Sequence, residues 1–192
     1  MTPLTRRSLP LATAALARYL VGKRLVYRSP RGLVAGRIVE TEAYPPGDPT
    51  GYFRNGLTTA NAPLFGPRGT AYVRMVYGTC FNLNLAAERA GTGAAVLIRA
   101  VEPLEGLERM RANRPGVRDR DLARGPGRLC AAFGIGRELS GIDLTAGRTL
   151  WFERMRGRPA DVVVSTRIGL SRDQHRRLRF LERGSVYVSV PP

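Results

Sequence analysis

Reactive side chains of several kinds are scarce in this sequence of 192 residues. It has two cysteines, Cys80 and Cys130, and one histidine, His175. Two cysteines are too few for a disulfide framework, and with one histidine they cannot complete a structural zinc site. The sequence therefore predicts no metal, no cofactor and a reducing compartment. Lys23 is the only lysine, which leaves almost no candidate amine for a Schiff-base mechanism.

Long hydrophobic runs are also absent. No apolar stretch approaches the ~20 residues of a membrane-spanning helix, and no segment forms a basic amphipathic helix long enough to lie on a membrane surface. Residues 5–11 superficially resemble a twin-arginine export signal, but Arg18 and Tyr19 interrupt the apolar run that follows. We therefore expect a cytoplasmic protein without a membrane partner.

Acidic residues are few beside the basic ones. The chain has 15 Asp and Glu against 31 Lys and Arg, which gives a formal net charge of +16. Such an excess is typical of proteins that bind a polyanion, and nucleic acid is the leading candidate. A GC-rich genome would produce the same preference for arginine without functional meaning, so composition leaves both explanations open.

What is present fits one domain over residues 1–192, because 43% hydrophobic residues supply enough material for a core. Strand patterns cover 24–27, 33–42, 70–77, 80–86, 93–101, 151–153, 161–165 and 185–190. Helical patterns cover 104–114, 129–133 and a first helix capped by Ser8, with Leu9, Ala12, Leu16 and Leu20 on one face. These elements predict an α+β fold with a largely antiparallel sheet.

Two segments lack a regular pattern. Residues 45–68 are rich in proline, glycine and asparagine, and a loop of this length in a compact domain is usually functional or disordered. The charge density rises over residues 114–128, which we expect to be mobile and solvated.

The predicted strand 38–44 carries the most informative side chains. Strand alternation predicts Val39, Thr41 and Ala43 on one side and two carboxylates, Glu40 and Glu42, on the other. A carboxylate is costly to bury unless it is hydrogen-bonded, paired or used in chemistry. Glu42 is therefore either a satisfied structural acid or a general base.

Further motifs follow in a fixed order. They are Leu64–Val73, Val76–Gly78, Asn82–Asn84, Val96–Gly106 and Arg124–Cys130. Together with strand 38–44, these segments resemble the alkyladenine (3-methyladenine) DNA glycosylase family over nearly the whole chain, from about residue 12 to residue 190. The resemblance implies a curved antiparallel sheet flanked by helices, with a hairpin that inserts into DNA.

The resemblance also implies how the chemistry is done. Hydrolysis of an N-glycosidic bond needs a base to activate water and a negative charge beside the developing oxocarbenium ion. By resemblance Glu42 is that base, Arg99 helps to hold the water and the carboxylate, and the backbone of Ile168 is the remaining water contact. Without the resemblance, Arg99 would be interpreted as part of a structural ion pair.

Other residues correspond to the family's base pocket and wedge. Tyr44 matches one wall of an aromatic clamp, and Asn84 matches an asparagine that excludes guanine through its amino group. Tyr77 stands directly before Gly78 at the predicted turn and matches the side chain that intercalates when the damaged nucleotide is extruded.

Two pocket positions depart from the family pattern. Tyr52 stands where the family usually has a histidine, and Arg74 stands where a second aromatic usually stacks on the extruded base. An aromatic clamp favours cationic alkylpurines, whereas a guanidinium repels them. The lesion range is therefore open, and Arg74 either lines the pocket or turns outward to a phosphate or an acid.

The predicted function is a monofunctional, metal-free glycosylase without lyase activity that removes damaged purines from double-stranded DNA. We expect it to be a monomer associated with the bacterial nucleoid. Candidate phosphate contacts are Arg54, Arg68, Arg124 and Arg128. The alternative is a basic nucleic-acid-binding protein without catalysis, which would have no need of Glu42 in a basic groove. A metal-dependent nuclease would require a cluster of acids that the predicted site lacks.

Overall fold

The structure, a computed structural model, describes residues 2–157 and 159–192. The described residues form eight strands: β1 (Arg24–Ser29), β2 (Gly32–Tyr44), β3 (Ala71–Val76), β4 (Cys80–Ala86), β5 (Ala95–Glu105), β6 (Leu150–Glu153), β7 (Val162–Ser165) and β8 (Arg179–Glu182). They also form three α-helices: α1 (Thr13–Leu20), α2 (Leu107–Asn113) and α3 (Pro126–Phe133). None of these helices is long and apolar enough to cross a bilayer.

All eight strands join one antiparallel sheet. Its main order is β3-β4-β5-β2-β1-β6, while β8 pairs with both β2 and β7. The sheet curls strongly, and the largest apolar core lies between it and the three helices. The predicted α+β fold with a curved, largely antiparallel sheet is confirmed.

Two β-bulges face each other between β2 and β5. Val39 of β2 and Arg99 of β5 have no partner across the ladder, while the residues around them pair regularly. Each bulge adds one residue to its strand and turns the following side chains. Arg99 lies on the side of the sheet that carries the two glutamates of β2, where it contacts both.

The bulge corrects one prediction about β2. Val39 packs against Ala100 and Leu181, on the side where Glu40 lies. Thr41 points the opposite way, since its hydroxyl donates to the Ala17 carbonyl of α1 at 2.8 Å. The expectation that Val39 shares a side with Thr41 is wrong because strict alternation ends at a bulge.

Two helix starts also differ from the predictions. Ser8 belongs to a single 3-10 turn, and α1 begins only at Thr13, whose N–H and hydroxyl both donate to the distant carboxylate of Glu88. The helix predicted from residue 104 begins at 107, because β5 continues to Glu105 and Gly106 adopts a left-handed conformation before α2.

Both patternless segments pack onto the domain. In the stretch 114–128, residues 115, 116 and 118–120 are exposed as expected, but Leu122 and Ala123 are fully buried and Arg114 donates to the Leu122 carbonyl, so the expectation of a solvated stretch fails for its second half. The loop 45–68 lies on the sheet through Phe53 and Leu64.

The last strand is misplaced by the sequence pattern. Residues 185–190 form turns, and the strand that pairs with β2 and β7 is β8 at Arg179–Glu182. Arginine and glutamate at its ends hide its apolar centre, Phe180 and Leu181, from a search for alternating residues.

Candidate functional site

One row of side chains crosses the sheet from β3 to β8 and underlies the site. Residues directly opposite each other in neighbouring strands are Tyr72, Asn84, Leu97, Glu42 and Arg179. Strands lie about 4.8 Å apart, so Asn84 and Glu42 are separated by about 10 Å across β5. The sheet therefore holds the candidate pocket asparagine and the candidate base at a fixed spacing.

A cavity of about 270 Å³ lies on this row. Its lining includes Tyr44, Thr50, Gly51, Tyr52, Val76, Tyr77, Asn82, Asn84, Ala95, Leu97, Arg99, Pro126, Ile168, Gly169 and Leu170. Pockets for drug-sized ligands usually measure roughly 300–1,000 Å³. This cavity is thus suited to a group of about the size of one nucleobase.

Glu42 lies directly behind the cavity wall with none of its side chain exposed. Its Oε1 accepts a hydrogen bond from the Ile168 N–H at 2.9 Å and forms an ion pair with Arg99 Nη1 at 3.1 Å. Its Oε2 accepts the Tyr44 hydroxyl at 2.9 Å. All three partners line the cavity, so the structure brings the predicted catalytic residues together around one carboxylate.

Arg99 is held between two carboxylates. Its Nε donates to Glu40 Oε1 at 2.9 Å while its Nη1 meets Glu42. Burial alone would lower the pKa of Arg99, but the neighbouring Glu42 and Glu40 raise it above its usual range. The guanidinium therefore remains a fixed positive charge at the cavity wall.

Tyr44 is fixed on both of its sides. Burial and then the negative charge of Glu42 raise the pKa of Tyr44 far above its usual value, so the hydroxyl remains a donor to that carboxylate. The Arg167 guanidinium lies over the ring, 4.7 Å from its centroid. Arg167 is in turn paired with buried Asp48 at 2.7 Å. The predicted aromatic wall is thus held rigidly beside Glu42.

The structure places the two unusual pocket residues differently. Tyr52 lines the cavity and lies 6.0 Å from the Tyr72 ring, centroid to centroid. Arg74 is absent from the cavity lining, and its guanidinium lies over the Tyr52 ring, 4.5 Å from the centroid. Its Nη1 also donates to the Tyr72 hydroxyl at 3.4 Å. Of the two alternatives for Arg74, the structure therefore has the one in which Arg74 lies outside the cavity lining, in contact with Tyr52, which lines the cavity.

Tyr77 projects from the tip of the hairpin formed by β3 and β4. Its side chain is 89% exposed although it also borders the cavity. Tyr77 and Gly78 both adopt left-handed backbone conformations, with φ of 53° and 68°. Positive φ is uncommon for a tyrosine and often marks a functional site. An exposed aromatic in a constrained turn is suited to insertion into another molecule.

The four arginines predicted to contact phosphates fall into two groups. Arg54 and Arg128 are exposed, and each donates a long hydrogen bond to a backbone carbonyl. Arg68 donates to the Arg6 carbonyl, and Arg124 donates to the Val188 carbonyl and pairs with Asp121. The second pair is therefore partly used within the protein.

Sequence reasoning missed the groups that support the site from behind. Glu40 and Asp48 are both fully buried, and each is paired with two arginines. A signal for Asp48 existed, because Thr50 follows it at the spacing of a turn in which its N–H and hydroxyl both donate to the carboxylate. No local signal relates Asp48 to Arg167, which lies 119 residues further along the chain.

No metal centre is evident in the part of the chain that the structure describes. There is no group of three or more histidine, cysteine, aspartate or glutamate side chains placed to hold an ion. The acids at the site are instead held by arginines and backbone N–H groups.

Comparison with known proteins identifies the family of this chain. The model of a family described as methylpurine-DNA glycosylase (MPG) matches residues 8–186. A protein of Paraburkholderia phytofirmans named "Putative 3-methyladenine DNA glycosylase" is 52% identical over 189 residues, which covers 98% of this chain and 89% of the relative. The human protein named "DNA-3-methyladenine glycosylase" is 41% identical over 192 residues, covering 91% of this chain and 64% of the human one.

The chain therefore belongs to the methylpurine-DNA glycosylase family. The resemblance noted in the sequence is confirmed. Membership in this family makes the chain an N-glycosylase that acts on DNA in base-excision repair.

Proposed function

We propose that this glycosylase extrudes damaged purines from double-stranded DNA and removes them by hydrolysis, without lyase activity. The proposed lesions are alkylated purines, hypoxanthine and ethenoadenine. The observation that carries the proposal is the position of Glu42, a fully buried carboxylate directly behind three residues that line a base-sized cavity.

In the proposed reaction, Glu42 accepts a proton from the water that attacks the anomeric carbon. Its negative charge also stabilises the oxocarbenium-like cation as the base departs. The water binds between Glu42, Arg99 and the Ile168 backbone. Because the Ile168 N–H now bonds directly to Glu42 at 2.9 Å, the water replaces that bond and the backbone after β7 shifts to admit it.

The base reaches the cavity by extrusion from the duplex. We propose that Tyr77 fills the gap left in the base stack, since it is exposed at the hairpin tip and borders the cavity. Tyr44 and Tyr52 then stack on the extruded base, and Asn84 excludes guanine. Extrusion costs a few kcal/mol, least for bases that pair poorly, which favours damaged sites.

The positive surface supplies general affinity for DNA. We propose phosphate contacts for Arg54 and Arg128, whose guanidinium groups are exposed, and weaker ones for Arg68 and Arg124. We further propose that residues 1–192 act as one monomeric domain, without a cofactor, in the cytoplasm at the nucleoid.

The test is a panel of duplexes carrying hypoxanthine, ethenoadenine, methylated purines or normal bases, assayed for abasic sites. We expect release from damaged duplexes only, and abolition of release by Glu42→Gln with lesion-DNA affinity within a few-fold of wild type. The amide keeps the shape of Glu42 but cannot accept the proton.

Two results would contradict the proposal. Residual excision by Glu42→Gln within tenfold of wild type would remove Glu42 from the role of base. Tight DNA binding by the wild-type protein with no base release from any duplex would favour the alternative, a nucleic-acid-binding protein without catalysis.

A further inference from the structure

The second buried carboxylate, Glu40, is more fully occupied than Glu42. Its Oε1 accepts hydrogen bonds from Arg99 Nε at 2.9 Å, Arg179 Nη1 at 3.1 Å and the Ser189 hydroxyl at 2.8 Å. Its Oε2 accepts the Ser189 N–H at 2.6 Å. Of the three residues that contact Glu40, Arg99 alone lines the cavity, whereas all three partners of Glu42 line it, so Glu40 lies behind Arg99 and not beside the attacking water.

Ser189 belongs to a C-terminal segment, residues 188–191, that has no regular secondary structure. Several side chains hold this segment against the sheet. The Val188 carbonyl accepts from Arg124 Nε at 3.0 Å, and the Val190 carbonyl accepts from Arg179 Nη1 at 2.8 Å. The Val188 side chain is buried beside Val39. The segment is therefore a fixed part of the wall behind the site.

Glu40 and Ser189 together determine where the Arg99 guanidinium can lie. Nε donates to Glu40, and Nη2 donates to the Ser189 hydroxyl at 3.3 Å, which itself donates to Glu40. These contacts close a ring and leave Nη1 directed at Glu42, 3.1 Å away. The plane of the guanidinium is thus fixed from the side opposite to the cavity.

We propose that Glu40 and Ser189 are positioning residues of the glycosylase reaction, which orient Arg99 toward Glu42 and share its positive charge. The inference rests on the proposed function, because it assigns these two residues a role in the same hydrolysis. It also makes the C-terminal segment a working part of the site.

The charges around Glu42 indicate why it matters that Glu40 shares the positive charge of Arg99. Glu42 faces Arg99 from β5 and Tyr44 from its own strand, with Arg167 behind the Tyr44 ring, while Arg179 from β8 pairs with Glu40. Without the charge of Glu40, the whole charge of Arg99 would act on Glu42. The attraction between Arg99 and Glu42 would then be stronger, which opposes transfer of a proton from water to that carboxylate.

The first test is Ser189→Ala, compared with Ser185→Ala as a matched control on the same part of the chain. Ser185 accepts the Tyr187 N–H and does not contact Glu40. Ser189→Ala removes two hydrogen bonds of the ring, so we expect the single-turnover rate of base release to fall about tenfold. Lesion-DNA affinity should stay within about twofold, because Ser189 is not in the cavity. Ser185→Ala should retain the wild-type rate.

The second test is Glu40→Gln. We expect a fall in rate of roughly a hundredfold, and a shift of the acidic limb of the pH–rate profile to lower pH, which a purely structural defect would not cause. Adding Ser189→Ala to Glu40→Gln should cost little more, because both act through Arg99.

The outcomes are separable. If Glu40→Gln does not fold, because it removes a carboxylate that two buried arginines share, Ser189→Ala decides. A Ser189→Ala rate equal to that of Ser185→Ala would overturn the proposal, as would a folded Glu40→Gln variant with the wild-type pH–rate profile. A wild-type protein that releases no base would instead contradict the proposed function.

Discussion

Arg74 offers a sharp test of how charge controls the lesion range. Its guanidinium lies 4.5 Å from the Tyr52 ring centroid, and Tyr52 lines the cavity while Arg74 does not. Within residues 2–157 and 159–192, no carboxylate lies within ion-pair distance of Arg74, whereas Arg167 behind Tyr44 is paired with Asp48. The charge of Arg74 is therefore felt in the cavity through the Tyr52 ring.

The size of the effect follows from the geometry. A base stacked on the cavity side of Tyr52 would lie about 3.5 Å from the ring, and so about 8 Å from the guanidinium carbon. Two unit charges at about 8 Å repel by roughly 2 kcal/mol at an effective dielectric constant of ~20 and by about 0.5 kcal/mol in water. Because Arg74 is exposed, we expect about 0.5–1 kcal/mol, which is roughly a two- to fivefold effect on rate.

The prediction is that Arg74→Gln lowers the ratio of neutral-lesion to cationic-lesion excision by about two- to fivefold. Hypoxanthine is the neutral lesion and 7-methylguanine the cationic one. Single-turnover rates on duplexes that differ only in the lesion give the ratio directly. Arg74→Lys keeps the charge and should preserve most of the ratio, while Arg74→Tyr should lower it as Arg74→Gln does.

Arg137→Gln is the matched control. Arg137 borders the same surface groove as Arg74 and is exposed, but it does not contact Tyr52. Its removal therefore lowers the net charge while Arg74 stays on the Tyr52 ring. If Arg74→Gln leaves the ratio at the wild-type value, or if Arg137→Gln changes it equally, charge transmitted through Tyr52 is not the cause.

Three further predictions concern the intercalating role of Tyr77, the absence of lyase chemistry at Lys23 and the buried ion pair of Asp48. Tyr77→Ala should reduce the 2-aminopurine signal of nucleotide extrusion, while general affinity continues to fall by about 0.9 log units per log unit of salt for each phosphate contact; an unchanged signal would remove Tyr77 from the wedge role. Borohydride should trap no covalent DNA adduct, because Lys23 is absent from the cavity lining; an adduct lost in Lys23→Arg would establish lyase chemistry. Burial alone would raise the pKa of Asp48, but hydrogen bonds from Thr50 and Arg167 lower it below its usual range. Asp48 therefore contributes stability at neutral pH that is lost as the pH falls below about 4, and Asp48→Asn should cost about 3–5 kcal/mol and weaken that acid dependence in urea unfolding.

The elements that follow local rules were predictable from the sequence. The β3–β4 hairpin is marked by Gly78 between two alternating segments, and β2 by its long run of strand-forming residues. Glu42, Arg99 and Ile168 were assigned through motifs at separate places in the chain, and the structure brings them within hydrogen-bonding distance.

The parts that sequence could not supply depend on distant partners. Helix α1 begins where Glu88, 75 residues away, satisfies the N–H of Thr13. The C-terminal segment is fixed by arginine contacts instead of a strand ladder, so no periodicity reveals it. Arg74 contacts Tyr52 because of how the loop 45–68 folds over the sheet, which a family alignment of single positions does not show.

The facing bulges at Val39 and Arg99 have a further consequence for how such a site can arise. Pairing between β2 and β5 runs in the same frame on both sides of them: Ile38 pairs with Val101 before the bulges, and Thr41 pairs with Ile98 after them. One additional residue on each strand cancels the offset that either would create alone. Loss of one bulge residue would shift the pairing of β2 with β5 by one residue beyond that point. Loss of both would leave the pairing intact but would remove Arg99 from the site. The two insertions are therefore expected to have been gained, and to be kept, as a pair.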